Sequence, residues 1–289
     1  MHPLAKILLP VDFSERSVGA AHYANLLAAR FHSELTVLHV LAPLQMETGA
    51  LDAGGSMLDE LYRDRSAQVS GELDRFVAAQ LPGRNVQSVV LAGDPAAKIV
   101  EYARDWAAGL IVMPTHGYGP FRRFLVGSNT ARVMHDAGCP VWTGVHLLEP
   151  PPADTIPFRN VLCAVDLGPQ SSRTLCWASQ FALQFGARLV LVHATGECPE
   201  PGDSAEANWQ NGIHESAGAE LQRLLEFVHA EAGTIVEAGD PAKVIGAAAE
   251  RLPADLLVIG LGSAAGVFGR LRTNACAIIR MSPCPVVSV

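Results

Sequence analysis

Apolar runs without alternation and stretches of helical spacing take turns along the whole chain. Lys6-Ile-Leu-Leu-Pro-Val-Asp12 carries no polar alternation, which marks a strand buried on both faces. From Ser14 to Phe31 the spacing is helical, with Val18, Ala21, Leu26 and Ala29 expected on the inner face. Leu35 to Val40 reads as a second strand, and Gln45 to Met57, rich in Gly and Met, as a loop. A long helix is expected from about Leu58 to Gln80, a third strand over Val86 to Leu91, a turn at Gly93-Asp94-Pro95 and a helix over Ala96 to Trp106. Leu110 to Met113 is the fourth strand and Val141 to Val145 the fifth, with a short helix ahead of Cys139. Strands alternating with helices through short turns predict an α/β domain whose sheet is mostly parallel, with helices on both faces.

Behind Pro150-Pro151-Pro152, a stiff extended connector, the pattern begins again. Asn160 to Asp166 repeats Lys6 to Asp12. Ser171, Ala178, Ala182 and Phe185 repeat Ser17, Ala24, Ala28 and Phe31, and Leu189 to His193 repeats Leu35 to His39, all at an offset of 154. Ala238-Gly-Asp-Pro-Ala242 repeats Ala92 to Ala96 at a reduced offset of 146, because the second half has a shorter loop after its second strand. Cys284-Pro-Val286 repeats Cys139-Pro-Val141. The order is kept throughout, which predicts a duplicated domain: residues 1–147, a connector at 148–158, and a second copy at 159–289.

The totals narrow the function. A chain of 289 residues, 49% hydrophobic and 17% charged, suits two well-packed domains. The net charge of −8 disfavours a nucleic-acid partner, and no apolar run reaches membrane-spanning length. The N-terminus lacks a signal-peptide pattern, so a cytoplasmic protein is expected. Six cysteines without paired metal spacing read as reduced thiols at core or near-core positions, Cys163 and Cys176 among them. His193, Cys198, His214 and His229 match no recognised ligand pattern, and no metal site is expected.

The chemistry concentrates between Met113 and Thr130, where a strand hands over to a helix through a loop bearing Gly117, Gly119 and Gly127. Such a loop admits an anion to backbone N–H groups, and the helix beginning at Ser128, Asn129 and Thr130 adds unpaired donors. The same residues are also ordinary helix caps and loop punctuation. Asp12, at the end of the first strand, lies where open α/β sheets bind ligands. It would accept hydrogen bonds from a ribose or base, or cap the next helix through the box Asp12-Phe-Ser-Glu15. His116 is placed to touch a phosphate or ribose, whereas His39 and His193 fit structural hydrogen bonds at equivalent strand ends.

Pro-Val-Asp12-Phe-Ser14, Leu38-His39-Val40, Gly93-Asp-Pro-Ala96, Thr115-His116-Gly117 with Gly127-Ser128, and Cys139-Pro-Val141 resemble the universal stress protein family, and nearly the whole chain does so twice. The resemblance implies a five-stranded parallel sheet of order 3-2-1-4-5 in each half. It also implies ATP binding, with Mg²⁺ as companion, through a strand-one Asp, a Val after strand two and a Gly-x2-Gly-x9-Gly-Ser/Thr loop. The matching positions are Asp12, Val40, Gly117, Gly127 and Ser128, with Thr115, His116 and Asn129 beside them; the first glycine of the loop is Pro114, which lacks an N–H. The second half keeps Asp166 and Gly260 but has Ser263 at the second glycine, and Arg272-Thr273 aligns with the Gly-Ser pair, which predicts a degenerate site.

The resemblance further implies pairing through the fifth strand, expected inside the chain as a pseudo-dimer and again between two chains as a homodimer. Nothing in the sequence supplies a nucleophile or a water-activating base, so at most slow ATP hydrolysis is expected. The reading is a nucleotide-sensing module in stress response, and its alternative is a nucleotide-free scaffold.

Overall fold

The computed structural model describes residues 4–42, 55–115, 126–144, 158–196, 204–261 and 270–289, and side chains throughout these except at 55–62, 204–211 and 270–273. The chain divides into two compact units, each taken by itself below.

In the first unit, β1 (Lys6–Pro10) leads to α1 (Glu15–Phe31), β2 (Glu34–Leu41), α2 (Gly55–Gln80), β3 (Val86–Ala92), α3 (Pro95–Asp105), β4 (Leu110–Val112), α4 (Ser128–Asp136) and β5 (Val141–Thr143). The strand order is β3-β2-β1-β4-β5, as expected. β1 pairs in parallel with β2 on one side, Ile7 opposite Leu35, and with β4 on the other, Ile7 opposite Leu110. Ile7, Leu8 and Leu9 are wholly buried, which requires helices on both faces of the sheet. Helices α1 and α2 pack on each other, and α3 and α4 form a separate pair.

Helix α1 buries Ala21 as expected but otherwise turns a different stripe inward. Ser17, Ala20, Ala21, Ala24, Leu27 and Ala28 are buried, Val18 and Leu26 are half-buried, and Ala29 is exposed. Small residues hold most of this face, with Tyr23 and Leu27 buried among them, where the helix packs on β1, β2 and β4. Helix α2 starts at Gly55, inside the stretch read as loop. Lys6 ties the sheet's opposite edge, its Nζ donating to Trp106 O at 3.2 Å and lying 5.2 Å from the indole centroid.

The second unit repeats the plan through β6 (Asn160–Ala164), α5 (Ser171–Phe185), β7 (Arg188–Ala194), α6 (Ser204–Val228), β8 (Gly233–Glu237), α7 (Pro241–Arg251), β9 (Leu256–Ile259), α8 (Arg270–Met281) and β10 (Val286–Ser288). Its strand order is β8-β7-β6-β9-β10, the same permutation. Phe158, Phe181 and Phe185 form a cluster with ring centroids 4.7–5.1 Å apart, Phe158 edge-to-face with both others and Phe181 tilted on Phe185. Cys163 is buried and its thiol is pushed up by desolvation, and Cys284 is pushed up to about 11 for the same reason. Cys176, expected near the core, is exposed on α5, because the helix turns Leu175, Trp177 and Ala178 inward instead.

The duplication is written in the backbone as well. Phe13 (φ 62°) matches Leu167 (58°), His32 (53°) matches Gly186 (62°), Gly83 (72°) matches His229 (55°), and Gly93 (141°) matches Gly239 (142°). The left-handed turn persists whether or not glycine fills it.

Two substitutions that copy the second half test this packing. Thr36 is fully buried and its hydroxyl finds no partner, while Val190 stands at the equivalent position. Thr36→Val is expected to leave stability unchanged or raise it by up to about 1 kcal/mol, since an unsatisfied buried hydroxyl disappears. His32→Gly, copying Gly186 at the left-handed end of α1, is expected to add about 0.5–1 kcal/mol. Urea unfolding with unchanged slope is the measurement for both.

Candidate functional site

Because β1, β2 and β4 run parallel, their carboxyl ends share one edge, and α3 and α4 both begin there. Between them lies a cavity of about 180 Å³, lined by Pro10, Val11 and Asp12 after β1, Leu38 to Val40 of β2, Pro95 and Ile99 of α3, Met113 and Pro114 after β4, and Asn129 and Thr130 of α4. Drug-sized pockets run to roughly 300–1,000 Å³, so this space suits a base or a sugar rather than a whole nucleotide.

Asp12 is held by its own turn. Its Oδ1 accepts from the Ser14 N–H at 3.1 Å, the Ser14 hydroxyl at 2.6 Å and the Ser17 hydroxyl at 2.7 Å, while the Asp12 N–H donates to Ser17 Oγ at 3.1 Å. The capping box does not form: Ser14 is the N-cap of α1, and no side chain caps it. Three hydrogen bonds fix the carboxylate through one oxygen, and among the described residues none is made to Oδ2. A rigid carboxylate with one vacant oxygen beside a cavity is a ready acceptor for paired hydroxyl or amine donors.

The helix side of the cavity is built on α4. Gly127 is its N-cap in an extended conformation, and the first-turn N–H groups that follow have no partner within the helix. The Gly127 N–H donates to Thr115 O at 2.7 Å, so the chain leaves the site and returns to it at one point. Thr130 Oγ1 donates to Pro114 O at 3.0 Å, and Pro114 itself is buried in the wall. Ser128 and Asn129 are exposed, and Thr115 is buried.

The structure thus brings Asp12, Val40 and Asn129 to one cavity, while Thr115, Gly127 and Ser128 are not part of its lining but stand next in the chain to the wall residues Pro114 and Asn129; His116 and Gly117 lie outside the described residues. His39 contributes to the wall, but its ring is spoken for. Nδ1 is 2.8 Å from Val11 O, and the imidazole stacks on Phe13 at 4.5 Å, which in turn meets Phe76 of α2. His193 makes the same bond to Val165 O at 2.9 Å, so both histidines are structural. Pro95 and Ile99 were not singled out as site residues; the start of a helix directly after a strand end is the signal that finds them.

In the second unit Asp166 Oδ1 accepts from the Gly168 N–H at 2.9 Å and from Ser171 Oγ at 3.1 Å, repeating the Asp12 turn. The rest departs. Arg272 and Thr273 lie in the first turn of α8, which begins at Arg270, so the residue aligned with the Gly127 cap is already helical. Ser263 lies outside the described residues. Gly260 packs so tightly that an added Cβ would sit 2.8 Å from Thr174 Oγ1, which donates to Gln170 O. At the equivalent positions the first unit has Pro114 and Ala20: a larger loop residue faces a smaller helix residue.

That exchange is testable. Gly260→Ala is expected to cost about 1–2 kcal/mol, through crowding or through loss of the Thr174 bond, and Gly260→Ala with Thr174→Ala to regain most of it. Denaturant melts of the two variants read the coupling.

Comparison with known proteins agrees with this architecture. A universal stress protein of Methanocaldococcus jannaschii is 31% identical over 136 residues, 47% of this chain and 79% of its own. One from Mycolicibacterium smegmatis is 26% identical over 212 residues, 71% of this chain and 70% of its own. The crystal structure of a universal stress protein from Archaeoglobus fulgidus matches with a TM-score of 0.65 at 26% identity, over 98% of this chain and 95% of that one. A functionally unknown protein from Pseudomonas aeruginosa shares the fold at 16% identity and a TM-score of 0.63, over 99% of this chain and 92% of its own. The sequence model of the universal stress protein family matches twice, at residues 4–143 and 157–289; among the described residues no helix is long and apolar enough to cross a membrane. With nearly every residue of both halves covered, the chain belongs to the universal stress protein family as a tandem member.

Proposed function

We propose that the first unit binds an adenine nucleotide, ATP, and acts as a sensing or regulatory module in stress response, while the second is a degenerate copy. The observation that carries this is the Asp12 carboxylate, anchored through one oxygen and vacant at the other, on a cavity whose far wall is the first turn of α4. Val11, Leu38, Val40 and Ile99 supply apolar walls for a base, and Asp12 an acceptor for a ribose. The first-turn N–H groups of α4, with Gly127 and Ser128 at its start, suit a phosphate, which the loop through Thr115, His116 and Gly117 would complete. Among the described residues no three His, Cys, Asp or Glu side chains gather to hold a metal, so Mg²⁺ would arrive with the phosphates rather than precede them.

One observation favours the nucleotide-free scaffold instead. Pro114 has no N–H, its carbonyl is taken by Thr130, and the Gly127 N–H is taken by Thr115 O, so the base of the loop is closed without a ligand.

Isothermal titration separates the two. The wild-type protein is expected to bind ATP with Mg²⁺. Asp12→Ala is expected to weaken binding about tenfold or more, the loss of a charged hydrogen-bond acceptor. Gly127→Arg, copying Arg272, is expected to abolish it. Absence of heat with ATP, ADP and AMP alike would leave the scaffold reading standing.

A further inference from the structure

The cavity's two helices are joined to each other at their starts. Asp94, the N-cap of α3, uses both carboxylate oxygens: Oδ1 accepts from the Ala97 N–H at 2.9 Å, and Oδ2 from Arg132 Nη1, also at 2.9 Å. Arg132 stands one turn into α4. Pro95 and Ile99, directly after the cap, and Asn129 and Thr130, directly before Arg132, are all cavity wall. Among the described residues of the first unit this is the ion pair that joins two elements, since Lys98–Glu101, Arg104–Asp105 and His135–Asp136 each stay within one helix. The Arg132 hydrogen bond holds the Asp94 carboxyl below its ordinary range, so both partners are charged near neutral pH.

The second unit provides the contrast. Asp240 caps α7 in the same way, accepting from the Lys243 N–H at 3.0 Å, but Ala277 stands where Arg132 would be. The cap has been kept in both halves and the bridge in the first.

Resting on the nucleotide reading above, we propose that the Asp94–Arg132 bridge is a positioning device for that site: it holds α3 against α4 and so sets the spacing of the walls that grip the nucleoside part of the ligand. Arg132 acts through the helices and does not touch the ligand. Its effect is therefore the same on every ligand carrying that nucleoside, with or without phosphates.

The test uses the full chain with Arg132→Ala, Arg132→Lys and Asp94→Asn, the last keeping an acceptor for Ala97. Adenosine and ATP with Mg²⁺ are titrated separately, and hydrogen exchange of α3 and α4 amides is followed in the free protein. Arg132→Ala and Asp94→Asn are expected to weaken both ligands by one common factor of about threefold, the scale of an exposed ion pair. Faster exchange in the first turns of α3 and α4 should accompany it. Arg132→Lys should recover part of both effects, and Asp240→Asn should change neither. A loss confined to ATP would show Arg132 on the phosphates and overturn the positioning role while sparing the nucleotide reading. Unchanged exchange in Arg132→Ala would overturn it whatever the ligands do, and a wild-type protein that binds neither ligand would overturn the nucleotide reading and this one with it.

Discussion

Parallel pairing of β1 on both sides is the constraint from which the rest follows. A strand flanked by parallel neighbours forces each connection to cross back over a face of the sheet, so the following helices start at one edge. That edge collects strand ends with free carbonyls and helix starts with free N–H groups. Asp12, Pro95 and Ser128 meet there not through any affinity for each other but because Pro95 and Ser128 begin helices, and Asp12 follows a strand, whose directions are fixed. The buried core of Ile7, Leu8 and Leu9 is thus also what locates the cavity.

Duplication lets the two units serve as controls for each other. The turn around the strand-one Asp has survived in both, with Ser17 and Ser171 in the same role. Junctions away from it have been rebuilt with other chemistry. At the start of the sheet the first unit uses Lys6 against Trp106, whereas the second uses Asp255 Oδ2, which accepts from the N–H groups of Arg159 and Asn160 at 2.7 and 2.8 Å. The loop after the fourth strand has diverged most, Pro114 against Ala20 in one half and Gly260 against Thr174 in the other. In the second half Gly260 and Thr174 share one volume, so a change at either is felt at the other.

Legibility in the sequence followed the range of the interactions. Strands were readable because β1 and β6 are continuous apolar runs, their order was implied by the family resemblance, and the duplicated Gly-Asp-Pro turn fixed where α3 and α7 begin. The inner stripe of α1 was not, since Ala21 and Ala29 are chemically identical and only the distance to β1 and β4 decides which is covered. Asp12 was recognisable as lying at the strand-end edge, where the cavity is, but not its anchoring by Ser14 and Ser17, which goes with a left-handed turn at Phe13. Cys176 failed for a related reason: periodicity places it among apolar residues, and only the packed helix shows that Leu175 and Trp177 take the inward positions. Arg132, one charge among several on a short helix, gave no signal before Asp94 was seen opposite it.

The matched left-handed residues reach beyond either unit. Phe13 and Leu167, His32 and Gly186, and Gly83 and His229 share a sign of φ while sharing no side chain. Descent in this fold is therefore carried by the handedness of a few turns more durably than by the residues that occupy them. A histidine or a phenylalanine at such a position persists at a standing energetic cost, and a glycine arriving there in a lineage records relief of that strain rather than a change of architecture. The two halves, aligned by their repeated motifs, can equally be laid over one another by the places where the chain turns left.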